Sequence, residues 1–233
     1  MMDRAVISGV RAVLIDLDGT LLDTIPDLAE AANRTLAEIG RAPLAIDTVR
    51  SYVGKGIPVL VKRCLTGHLD DNVEPDPAEL ARALPIYRRH YAAVNGLETT
   101  IYPKVIEGLM AMQDKGFQLA CITNKAGDFT LPLLQRTGLA PYFPVVVSGD
   151  TTPEKKPHPA PLLHACSAFG VAPNEAVMIG DSTNDALAGR SAGCRVLCVP
   201  YGYNEGGDVH DIDCDAIVDS LVDAAAILQP SLR

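Results

Sequence analysis

The chain has 233 residues, 48% hydrophobic and 21% charged, enough for one large domain or one domain with a smaller insert. A net charge of −9 argues against nucleic acid as partner, which would need a basic face, but not against a small phosphate ester held at a local positive site or by a metal ion. No apolar run approaches the ~20 residues of a membrane helix, and the Met-Met-Asp-Arg start lacks the features of a secretion signal, so a soluble cytoplasmic protein is expected, as monomer or homodimer. The six cysteines contain no C-x-x-C pair and are expected as reduced thiols, not as disulfides or zinc ligands.

Residues 10–17 form an apolar run broken only by Arg11 and Asp16, which predicts a strand buried on both faces. Asp16 and Asp18 fall at or just past its carboxyl end, and Gly19 lets the chain turn sharply. Alternate residues of extended chain point to one side, so the two carboxylates repel unless one is protonated or a cation lies between them.

Residues 23–97 read as helices. Thr24 is the expected N-cap of the first, with Asp27 three residues on and Gly40 closing it. Asp47 caps a second, ended by Gly54-Lys55-Gly56. Pro58 lies in the first turn of a third, with Leu60, Val61, Cys64 and Leu65 inward. Asp76-Pro77 opens a fourth along Leu80, Leu84, Tyr87, Tyr91 and Val94, where Pro85 predicts a kink or break.

From Ile101 strands and helices alternate. Helices are predicted from Pro103 to Lys115-Gly116 and over 129–137, 159–169, 184–192 and 220–228; strands over 117–122, 145–147, 177–179, 196–199 and 216–218. Repeated β-α units imply an α/β fold, a Rossmann-like core with a parallel sheet, helices on both faces and right-handed crossovers. The expected division is a core of residues 1–22 and 98–233 with a small α-helical cap, 23–97, inserted at its carboxyl edge.

Four polar clusters then share one address, past the carboxyl ends of strands: Asp16 with Asp18, Thr123 with Asn124, Lys156 before Pro157, and Asp181 with Asp185. Each alone reads as an ordinary turn, solvated pair or helix start. Together they place up to four carboxylates in one cleft, which cannot all stay ionised without a cation. Oxygen ligands without His or Cys suit a hard ion, Mg²⁺ being the usual one at phosphate sites. Lys156, Thr123 and Asn124 can then hold phosphate oxygens, and a carboxylate can act as nucleophile.

On D-L-D-G-T-L at 16–21, Thr123-Asn124, Lys156-Pro157 and G-D-S-T-N-D at 180–185, the chain resembles the haloacid dehalogenase-like phosphohydrolase superfamily over nearly its whole length. The resemblance implies Asp16 as nucleophile and Mg²⁺ ligand, Asp18 as general acid then base with its backbone carbonyl on the metal, and Asp181 as third protein ligand. It implies Asp185 behind these, orienting Lys156 or a metal-bound water, and Thr123, the Asn124 amide and Lys156 on the phosphoryl group. K-K-P-H-P-A-P-L-L at 155–163, the 180–194 stretch, Y-G-Y-N at 201–204 and Y-V-G-K-G at 52–56 resemble the superfamily's phosphoglycolate phosphatase group. Ile15 stands where Phe is common there, and Lys104 where Gly is frequent. The expected reaction is Mg²⁺-dependent hydrolysis of a small phosphorylated metabolite, 2-phosphoglycolate, through an aspartyl phosphate. Lys55, flanked by Gly54 and Gly56, is expected to read the substrate carboxylate.

Alternatives remain at this level: a sugar-phosphate phosphatase, mutase or pyrophosphatase of the same architecture, a dehalogenase, a phospho-acceptor receiver, or an inactive binding module. Asp18 speaks against the dehalogenase, the helical insert against the receiver, and the complete motif set against the inactive module.

Overall fold

Arg11 divides the predicted first strand in two. In the computed structural model, which describes residues 6–231, β1 (Ile7–Val10) and β2 (Ala12–Ile15) flank it, and its guanidinium reaches out to Glu175 at 3.2 Å. Residues 1–5, with the Met-Met-Asp-Arg start, and residues 232–233 lie outside the described residues. After β2 the chain forms β3 (Leu22–Asp23) and four helices, α1 (Ile25–Glu38), α2 (Ile46–Tyr52), α3 (Ile57–Thr66) and α4 (Pro77–Val94), then returns through β4 (Thr100–Ile101), antiparallel to β3. Next come α5 (Val105–Asp114), β5 (Gln118–Ile122), α6 (Gly127–Arg136), β6 (Val145–Val147), α7 (Ala160–Phe169) and β7 (Ala176–Gly180). The chain closes with α8 (Thr183–Ala192), β8 (Arg195–Cys198), β9 (Ala216–Ile217), α9 (Leu221–Ile227) and β10 (Leu228–Pro230).

Six strands make the central sheet in the order β6-β5-β2-β7-β8-β9, every pairing parallel, with β2 between β5 and β7. Every residue of β2 is buried, as a strand covered on both faces requires. The side chains divide by parity: Val13 and Ile15 pack with residues of α5, α6 and α9, Ala12 and Leu14 with residues of α7 and α8. The short pair β1–β10 stands outside this sheet, and the sequence pattern carried no sign of it because its last strand continues an apolar helical run.

The four inserted helices have a core of their own, with Leu28, Leu36, Leu60, Tyr87 and Tyr91 at its centre; Phe129 and Tyr203, from outside the insert, also pack into it. Asp76 caps α4 through the Ala78 N–H at 3.1 Å. Four local expectations are corrected. Thr24 precedes α1, but its hydroxyl donates to Asp18 Oδ1 at 2.7 Å instead of capping the helix. Asp27 is drawn across to the exit of the insert, where it accepts from Gly96, Glu98 and Thr99 N–H groups and the Thr99 hydroxyl. Ala45 is the residue before α2, which puts Asp47 in the first turn, where a carboxylate suits the dipole. Helix α4 runs unbroken through Pro85, held by the burial of Tyr87 and Tyr91 beyond it. Among the described residues no helix is long and apolar enough to cross a membrane.

Candidate active site

In a parallel sheet all carboxyl ends lie on one edge, so residues far apart in sequence meet there. Asp16 and Asp18 follow β2; Thr123, Asn124 and Lys125 follow β5; Lys156 comes from the loop after β6; Asp181 follows β7, and Asp185 stands in the first turn of α8. All eight line one pocket. Carboxylate oxygens of Asp16, Asp181 and Asp185 lie within 4.8 Å of one another, all three residues buried. The Lys156 ammonium sits against them, 2.7 Å from Asp16 Oδ1, 2.7 Å from Asp185 Oδ1 and 2.7 Å from the Ile122 carbonyl, which uses all three of its donors.

The remaining carboxylate oxygens are held by short local contacts. Asp185 Oδ2 accepts from the Ser182 hydroxyl at 2.7 Å and from its N–H at 3.2 Å, so both of its oxygens are engaged. Asp181 accepts from the Thr20 hydroxyl at 3.0 Å and from the Tyr203 N–H at 2.7 Å. Gly19, at φ +90°, and Gly202 both lie so close to Asp181 that a Cβ on either would overlap its carboxylate.

One ammonium does not balance three buried carboxylates. Burial pushes the Asp16 carboxyl well above its usual range, with Lys156 opposing and Asp185 and Asp181 reinforcing. Burial and the nearby Asp185 push Asp181 up to about 7. A cluster in which Asp16 and Asp181 resist ionisation, which offers only oxygen and is packed without slack around Asp181, fits a hard divalent cation.

The Asp18 carboxylate stands apart from this cluster. Its Oδ1 accepts from Thr24 and lies 2.9 Å from the Lys125 ammonium, and its carboxylate is not one of the three that cluster. Asn124 acts as a clamp. Its side-chain amide donates to the Lys156 carbonyl and to the Gly54 carbonyl of the insert, each at 2.9 Å, while its Oδ1 accepts from the Lys156 N–H.

Lys55 is the expected site residue that the structure does not bring in. Gly54 and Gly56 line the pocket, but the Lys55 ammonium turns to Asp71 Oδ2 at 2.7 Å and Glu205 Oε1 at 3.5 Å. Two lining residues that are not among the expected site residues are Lys125 and Tyr203. Lys125 is buried, and its ammonium pairs with Asp18 and with the Tyr91 hydroxyl at 2.8 Å. Its position directly after Thr123-Asn124 was the available signal. Tyr203 binds Asp181 through its N–H, while its hydroxyl accepts from the Thr24 N–H at 2.8 Å and donates to Asp23 at 3.0 Å. The fold makes Y-G-Y-N at 201–204 a brace between the acidic cluster and the entrance to the insert.

A family model described as haloacid dehalogenase-like hydrolase matches residues 13–199. A phosphoglycolate phosphatase of Nitrosospira multiformis is 57% identical over 222 residues, 95% of this chain and 97% of that protein. One from Thiobacillus denitrificans is 53% identical over 219 residues, 94% of this chain and 96% of the other. A solved structure from Haemophilus somnus 129pt, described as a predicted phosphoglycolate phosphatase, aligns with a TM-score of 0.87 at 32% identity and covers 94% of this chain and 97% of its own.

Proposed function

The chain belongs to the haloacid dehalogenase-like hydrolase family, and from that premise we propose that it is a Mg²⁺-dependent phosphatase that converts 2-phosphoglycolate to glycolate and phosphate. The carrying observation is the buried Asp16 carboxylate, set between the Lys156 ammonium and two further carboxylates at the end of the central strand. The named relatives at more than half identity support the substrate.

In this reading Asp16 and Asp181, with the Asp18 backbone carbonyl, hold the metal, and Asp185 orients Lys156. When bound, Mg²⁺ neutralises charge on these carboxylates and on the phosphoryl oxygens. The Asp16 carboxylate attacks phosphorus, the bond to the ester oxygen breaks, and Asp18 gives that oxygen its proton, which leaves glycolate and an aspartyl phosphate. Asp18, now a base, takes a proton from the water that attacks the phosphorus, and phosphate departs with Asp16 restored. The Thr123 hydroxyl and the Asn124 backbone N–H hold the phosphoryl oxygens, and Lys156, whose three donors are engaged, lends its positive charge beside Asp16; both side-chain N–H donors of Asn124 are likewise engaged.

Residues 1–22 and 98–233 form the catalytic core of this reading, and residues 23–97 the cap that closes over it. All six cysteines are free and five are buried, which suits a reducing compartment such as the cytoplasm. The test is phosphate release from a panel of small phosphate esters with and without chelator. Preference for 2-phosphoglycolate, loss in chelator and restoration by Mg²⁺ are expected. Full activity in chelator would remove the metal, and preference for a hexose phosphate or pyrophosphate would remove the substrate.

A further inference from the structure

Two buried ammonium groups line the pocket, and the mechanism uses only one. Lys156 has all three N–H groups engaged beside Asp16. Lys125 has two partners, Asp18 Oδ1 at 2.9 Å and the Tyr91 hydroxyl at 2.8 Å, and its ammonium also lies 4.9 Å from the Tyr91 ring centroid. An ammonium carries three donors, so one is left for the pocket. Tyr91 is fully buried in α4 and holds the lysine from the insert side.

The position of this donor matters more than its charge. Asp18 is the group that protonates the ester oxygen, so whatever follows that oxygen in the substrate lies next to Asp18 and its neighbours. In 2-phosphoglycolate the carboxylate carbon is two bonds beyond the ester oxygen. Lys125, in contact with Asp18, is therefore within reach of that carboxylate. A second anion entering a pocket already lined by Asp16, Asp18, Asp181 and Asp185 needs a cation of its own. The other lysines nearby do not supply one: Lys55 is bound to Asp71 and Glu205, and Lys155, whose ammonium lies beside Gly56, is not among the lining residues.

We propose that Lys125, steadied by Tyr91, is the residue that binds the substrate's carboxylate and so selects a phosphorylated hydroxy acid over a neutral phosphate ester; this rests on the reading of 2-phosphoglycolate as substrate. Lys125 then serves both ends of one event, holding Asp18 at the ester oxygen and the carboxylate just past it.

The test is binding, so that it survives any loss of turnover. 3-Phosphonopropionate is 2-phosphoglycolate with a methylene for the ester oxygen, and it cannot be hydrolysed at that position. Its affinity and that of its carboxamide are measured by calorimetry in Mg²⁺ with wild type and Lys125→Met. Wild type should prefer the carboxylate by ~10- to 100-fold, the worth of one charge-assisted contact in a desolvated site, and Lys125→Met should bring the two ligands level. If Lys125→Met does not fold, Lys125→Gln, which keeps a donor for Tyr91, takes its place in the same comparison. An undiminished preference in the folded variant overturns the proposal and transfers the carboxylate to another wall, such as the start of α3. If wild type neither prefers the carboxylate nor hydrolyses 2-phosphoglycolate selectively, the substrate assignment itself fails. If wild type does both and the variant still discriminates, only the role of Lys125 fails.

Discussion

At Asp16 the carboxylate is buried with Asp181 and Asp185, and one ammonium lies among the three. Such a group favours chemistry over stability, because without a cation each carboxylate raises the energy of the others. Asp16→Asn removes both the nucleophile and one of the repelling charges. Phosphate release should fall below detection, while thermal unfolding in chelator should occur no lower than in wild type; appreciable turnover would move the nucleophile elsewhere. Lys104 carries a different kind of strain. It stands before α5 at φ +64°, in the left-handed region that L side chains disfavour. Lys104→Gly relieves this at some entropic cost, for a net gain of about 0.5–1 kcal/mol, read as a higher denaturant midpoint with unchanged slope. A lower midpoint would show that the lysine side chain makes a compensating contact. The Thr123 and Asp181 placements were legible because each follows an apolar strand pattern, and Lys156 because it directly precedes Pro157. Lys55 was not, since its flanking glycines are visible in sequence but its partners, Asp71 and Glu205, are brought to it only by folding.

At the scale of elements, the insert is joined to the rest of the chain by two short strands and by polar contacts that include two carboxylate-centred anchors. Asp27, buried in α1, gathers three backbone N–H groups and a hydroxyl from the segment that leads out of α4 into β4. Asp27→Ala leaves those donors unpaired and should destabilise the protein by about 3 kcal/mol, measured by denaturant titration; a loss under ~0.5 kcal/mol would mean that water replaces the carboxylate. The second anchor joins the insert to the loop after β8. Arg63, buried in α3, lies 2.8 Å from Glu205 and 3.0 Å from Asp71, and Lys55 shares both acids. Glu205 touches none of the groups assigned to chemistry. Glu205→Gln should therefore raise KM about three- to tenfold with little change in kcat, equivalent to ~1 kcal/mol in cap closure, because the acid is partly exposed and screened. A fall in kcat with KM unchanged would count against a closing role. The helices themselves followed the apolar spacing, but the β3–β4 pairing could not be read from it, since two-residue strands carry no periodicity.

At the scale of the molecule, the acidic edge makes stability depend on pH and on metal together. Asp181 titrates at about 7 in the fold against an ordinary value of 3.8, so across that window the folded chain holds a proton that the unfolded chain has released. Stability of the metal-free protein is then lost as pH rises from about 4 to about 7, and Asp16, also raised, adds in the same direction. A cation removes this penalty where it is largest. The rise in Tm on replacing chelator with Mg²⁺ should be greater at pH 8 than at pH 5, and an equal rise at both would contradict the placement of the metal among these carboxylates. The amino-acid sequence by itself determined the α/β class, the buried first strand, the helical insert and the four acidic, hydroxyl and lysine clusters. Those are properties of local pattern: burial on two faces demands an unbroken apolar run, and turns at strand ends tolerate polar groups. What only the tertiary structure decided is which side chains share an atom's worth of space. Asp27 left its expected cap for linker donors across the hinge, Lys55 turned to acids on two separate segments, and Lys125 was carried to Asp18 because β2 and β5 are adjacent in the sheet. Charge and hydrogen bonding act over a few ångströms, and the distance along the chain between such partners is set by topology, which local pattern does not encode.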